Sequence, residues 1–125
     1  MQITDTAVSL NVENPEASAE FMRKHYGFEV EMSADGFVSM RRPDAGVNLV
    51  YLRTGLSTFK PETLAGKRAD GLLVVFVVKD IDKEYERLKS EGVEITTPIE
   101  TEEWNERYFQ VTDPNGVVVQ LVEWV

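Results

Sequence analysis

The sequence contains two copies of one pattern, and an internal repeat of this kind limits the possible folds more than any other feature. Val8–Val30 and Val74–Ile95 each read as an apolar strand, an acidic or Asn-containing turn, a short amphipathic helix, and a glycine before a new strand. The later halves match as well, since Phe37–Leu52 parallels Tyr108–Val122. Each copy therefore predicts a β-α-β-β-β module, and the chain is expected to fold as an α+β protein.

The module boundaries follow from this repeat. A chain of 125 residues is the size of a single domain with one sizeable core. We expect module one at about residues 5–53 and module two at about residues 71–125. The segment between them, residues 54–70, contains Gly, Ser, Pro and Lys and is predicted to be a linker.

Strand alternation assigns side chains to the two faces of the predicted sheet. In the last strand, the odd-numbered residues of 117–121 should pack under the helices, and the even-numbered residues of 118–122 should face the opposite, concave side. The run Leu72–Val78 is apolar at both parities, which predicts a strand buried on both faces in a sheet that encloses a ligand or a partner. The same parity places further side chains on the concave side: Ser9, Asn11, Phe37, Ser39, Asn48, Val50, Tyr108 and Gln110.

The charge of the chain limits its partners. Thirteen Lys and Arg residues stand against 22 Asp and Glu residues, giving a net charge of −9. Such a surface repels phosphate backbones and anionic lipids, so we expect no nucleic acid and no membrane partner, and a neutral or cationic ligand is favoured. Cysteine is absent, which removes disulfides and thiolate chemistry. The sequence also shows neither an 18-residue apolar run nor a secretory leader, so a cytoplasmic protein is predicted.

A tight-turn motif near the end of the second copy carries a family resemblance. Asp113-Pro114-Asn115-Gly116 predicts a turn between two strands, because Pro fixes φ while Asn and Gly tolerate positive φ. Paired modules ending in this turn and an apolar strand resemble the vicinal oxygen chelate superfamily, which contains glyoxalase I, extradiol dioxygenases, fosfomycin-resistance enzymes and bleomycin-resistance proteins. The resemblance spans Val8 to Trp124. It implies two tandem modules that form a cupped, mixed sheet with the helices on its outer face.

The resemblance also identifies the four positions of this sequence that correspond to the metal ligands of the family. Metal-dependent members hold a divalent ion with one side chain from each of four strands, commonly His or Glu. The matching positions here are Ala7, Val50, Leu73 and Gln120. Three of these side chains are hydrocarbons and the fourth is a neutral amide, whereas divalent metals prefer imidazole or carboxylate ligands. We therefore expect no metal, no other cofactor and no catalytic residue.

The segment Trp104–Tyr108 is similar to a tryptophan-containing segment of the bleomycin-resistance-like proteins, which bind drugs without a metal. It departs from their Trp-Gly-Gln-Arg form at Asn105 and Glu106. This similarity implies a homodimer in which each pocket is built from both chains. Trp104 lies in a polar stretch, and its ring suits stacking on a flat or cationic ligand. The alternative is a lid or a dimer contact, since Trp is also favoured at interfaces.

The favoured function is the binding and sequestration of a small aromatic or cationic organic molecule, such as an antibiotic. Gln120 would orient a polar group of the ligand, or would instead bond to Ser9 or Tyr108 across the sheet. Two alternatives stay open: a metal-dependent glyoxalase-type lyase, isomerase or dioxygenase with unorthodox ligands such as Gln120 with Glu103, and an accessory module whose apolar sheet face makes a dimer. The predicted ligand-binding residues are Trp104, Gln120, Tyr108, Phe37, Asn48, Val50, Leu73 and Ser9.

Overall fold

The computed structural model describes residues 1–125 and contains eight strands and two α-helices in the order β-α-β-β-β, repeated twice. The elements of the first copy are β1 (Ala7–Val12), α1 (Pro15–Tyr26), β2 (Glu29–Ala34), β3 (Phe37–Arg41) and β4 (Asn48–Arg53). Those of the second copy are β5 (Leu73–Val77), α2 (Ile81–Ser90), β6 (Ile95–Thr101), β7 (Glu106–Thr112) and β8 (Val118–Trp124). The α+β fold of paired modules predicted from the repeat is confirmed. The chain divides into two compact units, Met1–Asp70 and Gly71–Val125.

The first unit is a four-stranded mixed sheet in the order β1-β4-β3-β2, with β1 parallel to β4 and the other pairs antiparallel. Helix α1 begins at Pro15 because the Asn14 side chain accepts the Ala17 N–H at 3.1 Å, as its sequence predicts. It ends at Gly27, whose φ of 68° is the left-handed conformation that glycine adopts without strain. Leu10, Met22 and Tyr51 are fully buried between this helix and the sheet.

Residues 54–70 contain a single 3-10 turn at Glu62–Leu64 and fold back on the first unit. The Asn11 side-chain amide donates to the Leu64 carbonyl at 2.9 Å, and the Ala69 N–H donates to the Asn11 carbonyl at 2.8 Å. This segment thus has fixed contacts with β1, which its Gly, Ser and Pro content did not indicate.

The second unit has the equivalent order β5-β8-β7-β6, with β5 parallel to β8. Helix α2 packs on one face, where the Tyr85 ring meets the buried Phe109 ring edge-on at a centroid distance of 4.9 Å. The N-terminus of α2 has no cap from its own Asp80 side chain. Instead, the Glu123 carboxylate on β8 accepts the N–H groups of Asp80 at 3.0 Å and Ile81 at 3.2 Å. Strand β8 is therefore fixed to the start of α2.

The predicted turn at residues 113–116 is present between β7 and β8. The buried Asp113 carboxylate accepts the N–H groups of Asn115 at 2.8 Å and Val117 at 2.9 Å, and Gly116 has a φ of 86°. Asp113 thus satisfies two backbone donors that the chain reversal would otherwise leave unpaired.

Strand alternation predicted the helix-facing side of the sheet correctly, because Leu121 of β8 is the register partner of Phe109, whose ring meets Tyr85 of α2. The expectation that Leu72–Val78 is buried on both faces is wrong for the single chain. Leu73, Val75 and Val77 of β5 lie on the face opposite α2 and are about half exposed or more. The reason is that β5 is an edge strand, and α2 covers only one side of its sheet. Neither helix is long and apolar enough to cross a membrane.

Candidate functional site

The second unit presents a sheet face that no helix covers. Register places Val75 beside Gln120, Gln120 beside Gln110, and Gln110 beside Thr97, so one row of side chains crosses all four strands. Phe109, the neighbour of Gln110, points the other way against α2. We call this uncovered side the open face; its residues are Leu73, Val75, Val77, Thr97, Glu106, Tyr108, Gln110, Val118, Gln120, Val122 and Trp124.

A continuous chain of hydrogen bonds runs along the open face. The Thr97 hydroxyl donates to Gln110 Oε1 at 2.7 Å, and Gln110 Nε2 donates to Gln120 Oε1 at 2.7 Å. Gln120 Nε2 then donates to Glu106 Oε1 at 3.2 Å, and the other carboxylate oxygen, Oε2, accepts Trp104 Nε1–H at 2.7 Å. We call these four bonds the amide chain. Its two amides pair with each other and with Glu106, so the partners of Gln120 are Gln110 and Glu106 instead of Tyr108.

Glu106 joins two residues that the sequence identified separately, Trp104 and Gln120. No signal in the sequence connected Glu106 with Trp104 or Gln120, and the residue stood out as a departure from a family motif. Its parity with Tyr108 and Gln110 along β7 was the one signal that placed it on the open face. Gln120 itself is only 8% exposed, so Glu106 and Gln110 supply the partners that a buried amide requires.

Trp104 is displayed by a tight turn between β6 and β7. The Glu102 N–H donates to the Glu106 carbonyl at 2.8 Å and the Asn105 N–H donates to the Glu102 carbonyl at 3.0 Å. Asn105 closes the turn with a φ of 68°, a left-handed conformation that Asn tolerates better than other non-glycine residues. The indole remains 61% exposed although its N–H is bonded to Glu106. The turn therefore holds an aromatic ring in solvent with one edge fixed.

Changing Asn105 tests this turn. We expect Asn105→Val to lower the free energy of unfolding by roughly 1–2 kcal/mol, because a β-branched side chain is strained at positive φ. Asn105→Gly should leave the stability within about 0.5 kcal/mol of the parent, since glycine adopts the same φ freely. Urea unfolding followed by circular dichroism measures both. Equal losses in the two variants would contradict a conformational role for Asn105.

Tyr108 forms a second polar cluster on the open face. Its hydroxyl lies 2.5 Å from Glu100 Oε1 and 3.0 Å from Glu102 Oε1. The hydrogen bonds to these two carboxylates, and their negative charge, raise the pKa of Tyr108 above its ordinary value of 10.0. A phenol has one proton to donate, so it bonds fully to only one of the two carboxylates at a time.

The raised pKa of Tyr108 predicts a pH dependence. Above pH 10 the unfolded chain releases the Tyr108 proton while the folded chain keeps it, so the stability supplied by this cluster is present below pH 10 and falls as the pH rises. Absorbance titration at 295 nm should show one fewer late-ionising tyrosine in Tyr108→Phe than in the parent. An equal number of late-ionising tyrosines in the two proteins would contradict the raised pKa of Tyr108.

The apolar part of the open face lies next to the amide chain. Val75 is the register partner of Gln120, and Trp124 is the register partner of Glu106. The β5 side chains and Trp124 are well exposed, while Val122 between them is buried. An exposed apolar strip bordered by fixed polar groups is the surface pattern of binding sites for organic molecules.

The predicted ligand-binding residues fall on two sheet faces, one in each unit. In the first unit Val50 lies beside Ser9 on one side and Ser39 on the other, and Asn48 and Phe37 share this face by parity. The Asn48 side-chain amide donates to Asp5 at 2.9 Å. In the second unit the open face carries Leu73, Tyr108 and Gln120, with Trp104 in the turn at its end. Within each unit the predicted residues come together.

The four positions of the family metal site do not fit a metal ion in this chain. Ala7, Val50 and Leu73 carry no donor atom, and Gln120 Oε1 accepts a hydrogen bond from Gln110. No group of three or more His, Cys, Asp or Glu side chains is placed to hold a metal. The amide of Gln120 is thus the single donor group at the four positions, whereas divalent metals prefer several imidazole or carboxylate ligands.

A surface groove of about 210 Å³ lies in the first unit between α1 and β2. It contains none of the predicted site residues, and its Arg23 is paired with Glu20 at 2.6 Å. The groove lies on the helix side of the sheet, away from the face that carries Ser9 and Val50. Its lining residues are Glu16, Ala19, Glu20, Arg23, Val30, Ser33 and Val38.

The repeated modules and their uncovered sheet faces define a small α+β domain of the paired β-α-β-β-β class. The family model described as the Glyoxalase/Bleomycin resistance protein/Dioxygenase superfamily matches residues 4–121. The chain therefore belongs to this superfamily, as the repeat and the 113–116 turn indicated.

Several solved structures share the fold of this chain. A glyoxalase/bleomycin resistance protein/dioxygenase from Nocardioides has 26% identity and a TM-score of 0.79, with 100% of this chain and 85% of that chain covered. TnmS3, an antibiotic binding protein from Streptomyces sp. CB03234, has 21% identity and a TM-score of 0.75 over 100% and 99% of the chains. A lactoylglutathione lyase from Agrobacterium tumefaciens has 16% identity and a TM-score of 0.75 over 98% and 94%. A search of curated proteins by sequence gives no match.

Proposed function

We propose that this chain binds a small aromatic organic molecule on the open face and sequesters it without a metal, as bleomycin-resistance-like proteins do. The observation that carries this proposal is the exposed Trp104 ring, held at its N–H edge by Glu106 beside the apolar strip of β5 and β8. A fixed, exposed indole offers a stacking surface at little cost in side-chain entropy. The amide chain supplies the few oriented polar groups that such sites use.

The charge around this ring favours a cationic ligand. Glu106 bonds to the neutral donors of Trp104 and Gln120, while Glu100 and Glu102 bond to the Tyr108 hydroxyl. None of the three carboxylates forms an ion pair, and the whole chain has a net charge of −9. A cation placed over the indole would be attracted both by the face of the ring and by the negative charge of these carboxylates.

Two structural neighbours correspond to the two leading functions. The antibiotic binding protein TnmS3 is consistent with sequestration, and the lactoylglutathione lyase represents the enzymatic alternative. The chemistry of the four ligand positions favours the first, because only one of them carries a polar side chain. In this proposal the working form is a cytoplasmic homodimer, in which a second copy covers the exposed apolar side chains of β5.

Calorimetric titration of the full chain tests the proposal. We expect binding of the aromatic cation berberine, which carries acceptor oxygens at its ring edge, and of bleomycin, and much weaker binding of the aromatic anion 1-anilinonaphthalene-8-sulfonate. Elemental mass spectrometry of the purified protein is the companion measurement. Near-stoichiometric metal together with no binding of any of the three compounds would overturn the proposal in favour of the enzyme. Size-exclusion chromatography with light scattering measures the molar mass in solution and so shows whether the protein is a homodimer.

A further inference from the structure

We infer that Glu106 fixes the direction of the amide chain, and that the site therefore selects aromatic ligands with a hydrogen-bond acceptor at their edge. This inference rests on the proposed function for its ligand. Its first part, the direction of the chain, concerns only the protein and can be tested without a ligand. Glu106 acts here through Gln120 and Trp104, so it is a positioning residue.

The direction follows from the chemistry of the end groups. An ionised carboxylate only accepts hydrogen bonds, and an indole N–H only donates them. Gln120 must therefore turn Nε2 toward Glu106, at 3.2 Å, which leaves Oε1 facing Gln110. Gln110 must in turn donate through Nε2 at 2.7 Å, so its Oε1 accepts from the Thr97 hydroxyl. One carboxylate thus orients every group of the chain.

The orientation of Gln120 decides what a ligand meets beside Trp104. Trp104 Nε1 and Gln120 Nε2 bond to the two oxygens of the same carboxylate, so the amide edge next to the indole is the NH₂ edge. One Nε2 hydrogen is used by Glu106 and the second remains for another acceptor. A ring stacked on Trp104 consequently meets a donor, which favours a ring nitrogen or a carbonyl over an N–H.

Glu106→Gln should reverse the chain without breaking it. The introduced amide must offer its oxygen to the Trp104 N–H, because that group can only donate, and it then presents NH₂ to Gln120. Gln120 and Gln110 both turn over, and the Thr97 hydroxyl changes from donor to acceptor. All four hydrogen bonds survive, the negative charge is lost, and the amide edge beside Trp104 becomes an acceptor.

Nuclear magnetic resonance of the full chain tests the direction. In the parent protein the Gln120 side-chain NH₂ should show nuclear Overhauser effects to Glu106, and the Gln110 NH₂ should show them to Gln120. In Glu106→Gln the Gln110 NH₂ should instead show them to Thr97, while the Trp104 indole N–H stays hydrogen-bonded to residue 106 and shifts upfield with the loss of the charged acceptor. Glu103→Gln is the matched control, because Glu103 is exposed, bonds to no neighbour and carries the same charge. An unchanged pattern in Glu106→Gln would overturn the inference.

Titration with two bicyclic probes tests the ligand class. Quinoline and indole are similar in size, but quinoline carries a ring acceptor and indole carries a ring donor. We expect the parent and Glu103→Gln to prefer quinoline by about tenfold, which is the effect of one well-placed hydrogen bond. Glu106→Gln should lose or invert this preference. The same preference in all three proteins would contradict the ligand class. Failure of both probes to bind the parent would count against the proposed function, while the resonance data still decide the direction.

Discussion

Trp104→Ala is expected to weaken the binding of an aromatic cation such as berberine by about 1–3 kcal/mol, because it removes the stacking surface at the end of the open face. The indole is 61% exposed and contributes little to the core, so the free energy of unfolding should change far less than the binding energy. Isothermal titration calorimetry measures the affinity, and urea unfolding measures the stability.

Two matched variants separate the parts played by this ring. Trp104→Phe keeps an aromatic face but cannot donate to Glu106, so it should retain a large part of the affinity and lose the orientation of the ring. Trp124→Ala removes the other exposed tryptophan, which pairs with Glu106 in register and makes no bond to its carboxylate. An unchanged affinity in Trp104→Ala would show that its ring is a structural or dimer residue.

Phe109→Ala is expected to destabilise the protein by about 3–5 kcal/mol, the range measured for removal of a buried aromatic side chain. Phe109 is fully buried on β7 and meets the Tyr85 ring of α2 at a centroid distance of 4.9 Å. Its loss opens a cavity between α2 and the sheet that carries the open face. Chemical denaturation by urea is the measurement.

Phe109→Leu provides the control for this prediction. Leucine retains much of the buried volume, so Phe109→Leu should lower the free energy of unfolding clearly less than Phe109→Ala does. A loss of less than about 1 kcal/mol in Phe109→Ala would mean that the packing of α2 on β7 contributes little to the stability of the second unit.

The sequence was sufficient to predict the two β-α-β-β-β modules and the superfamily. These features depend on local signals: the Asn14 cap, the left-handed glycine at 27 and the 113–116 turn are each formed by residues close together in the chain. Alternation also predicted which side of β8 lies under the helix, because adjacent side chains of a strand point to opposite faces. Local geometry of this kind requires no knowledge of partners distant in sequence.

The site was predicted less completely. Trp104, Tyr108 and Gln120 were named as ligand residues, but Glu106, which connects Trp104 to Gln120, was not. Its role depends on the register between β7 and β8, and a shift of one residue would turn its side chain to the other face. The partners of Gln120 were missed for the same reason.

Sequence alone determined the repeat, the 113–116 turn, the two ends of α1 and the polar or apolar character of each strand face, because these follow from backbone conformation and side-chain spacing within a few residues. Only the tertiary structure decided that Glu123 caps α2 and that Glu106 orients Gln120. It also decided that β5 is an edge strand with an exposed apolar side. Hydrogen-bond partners and burial are set by which strands lie side by side, and that arrangement is a property of the folded chain.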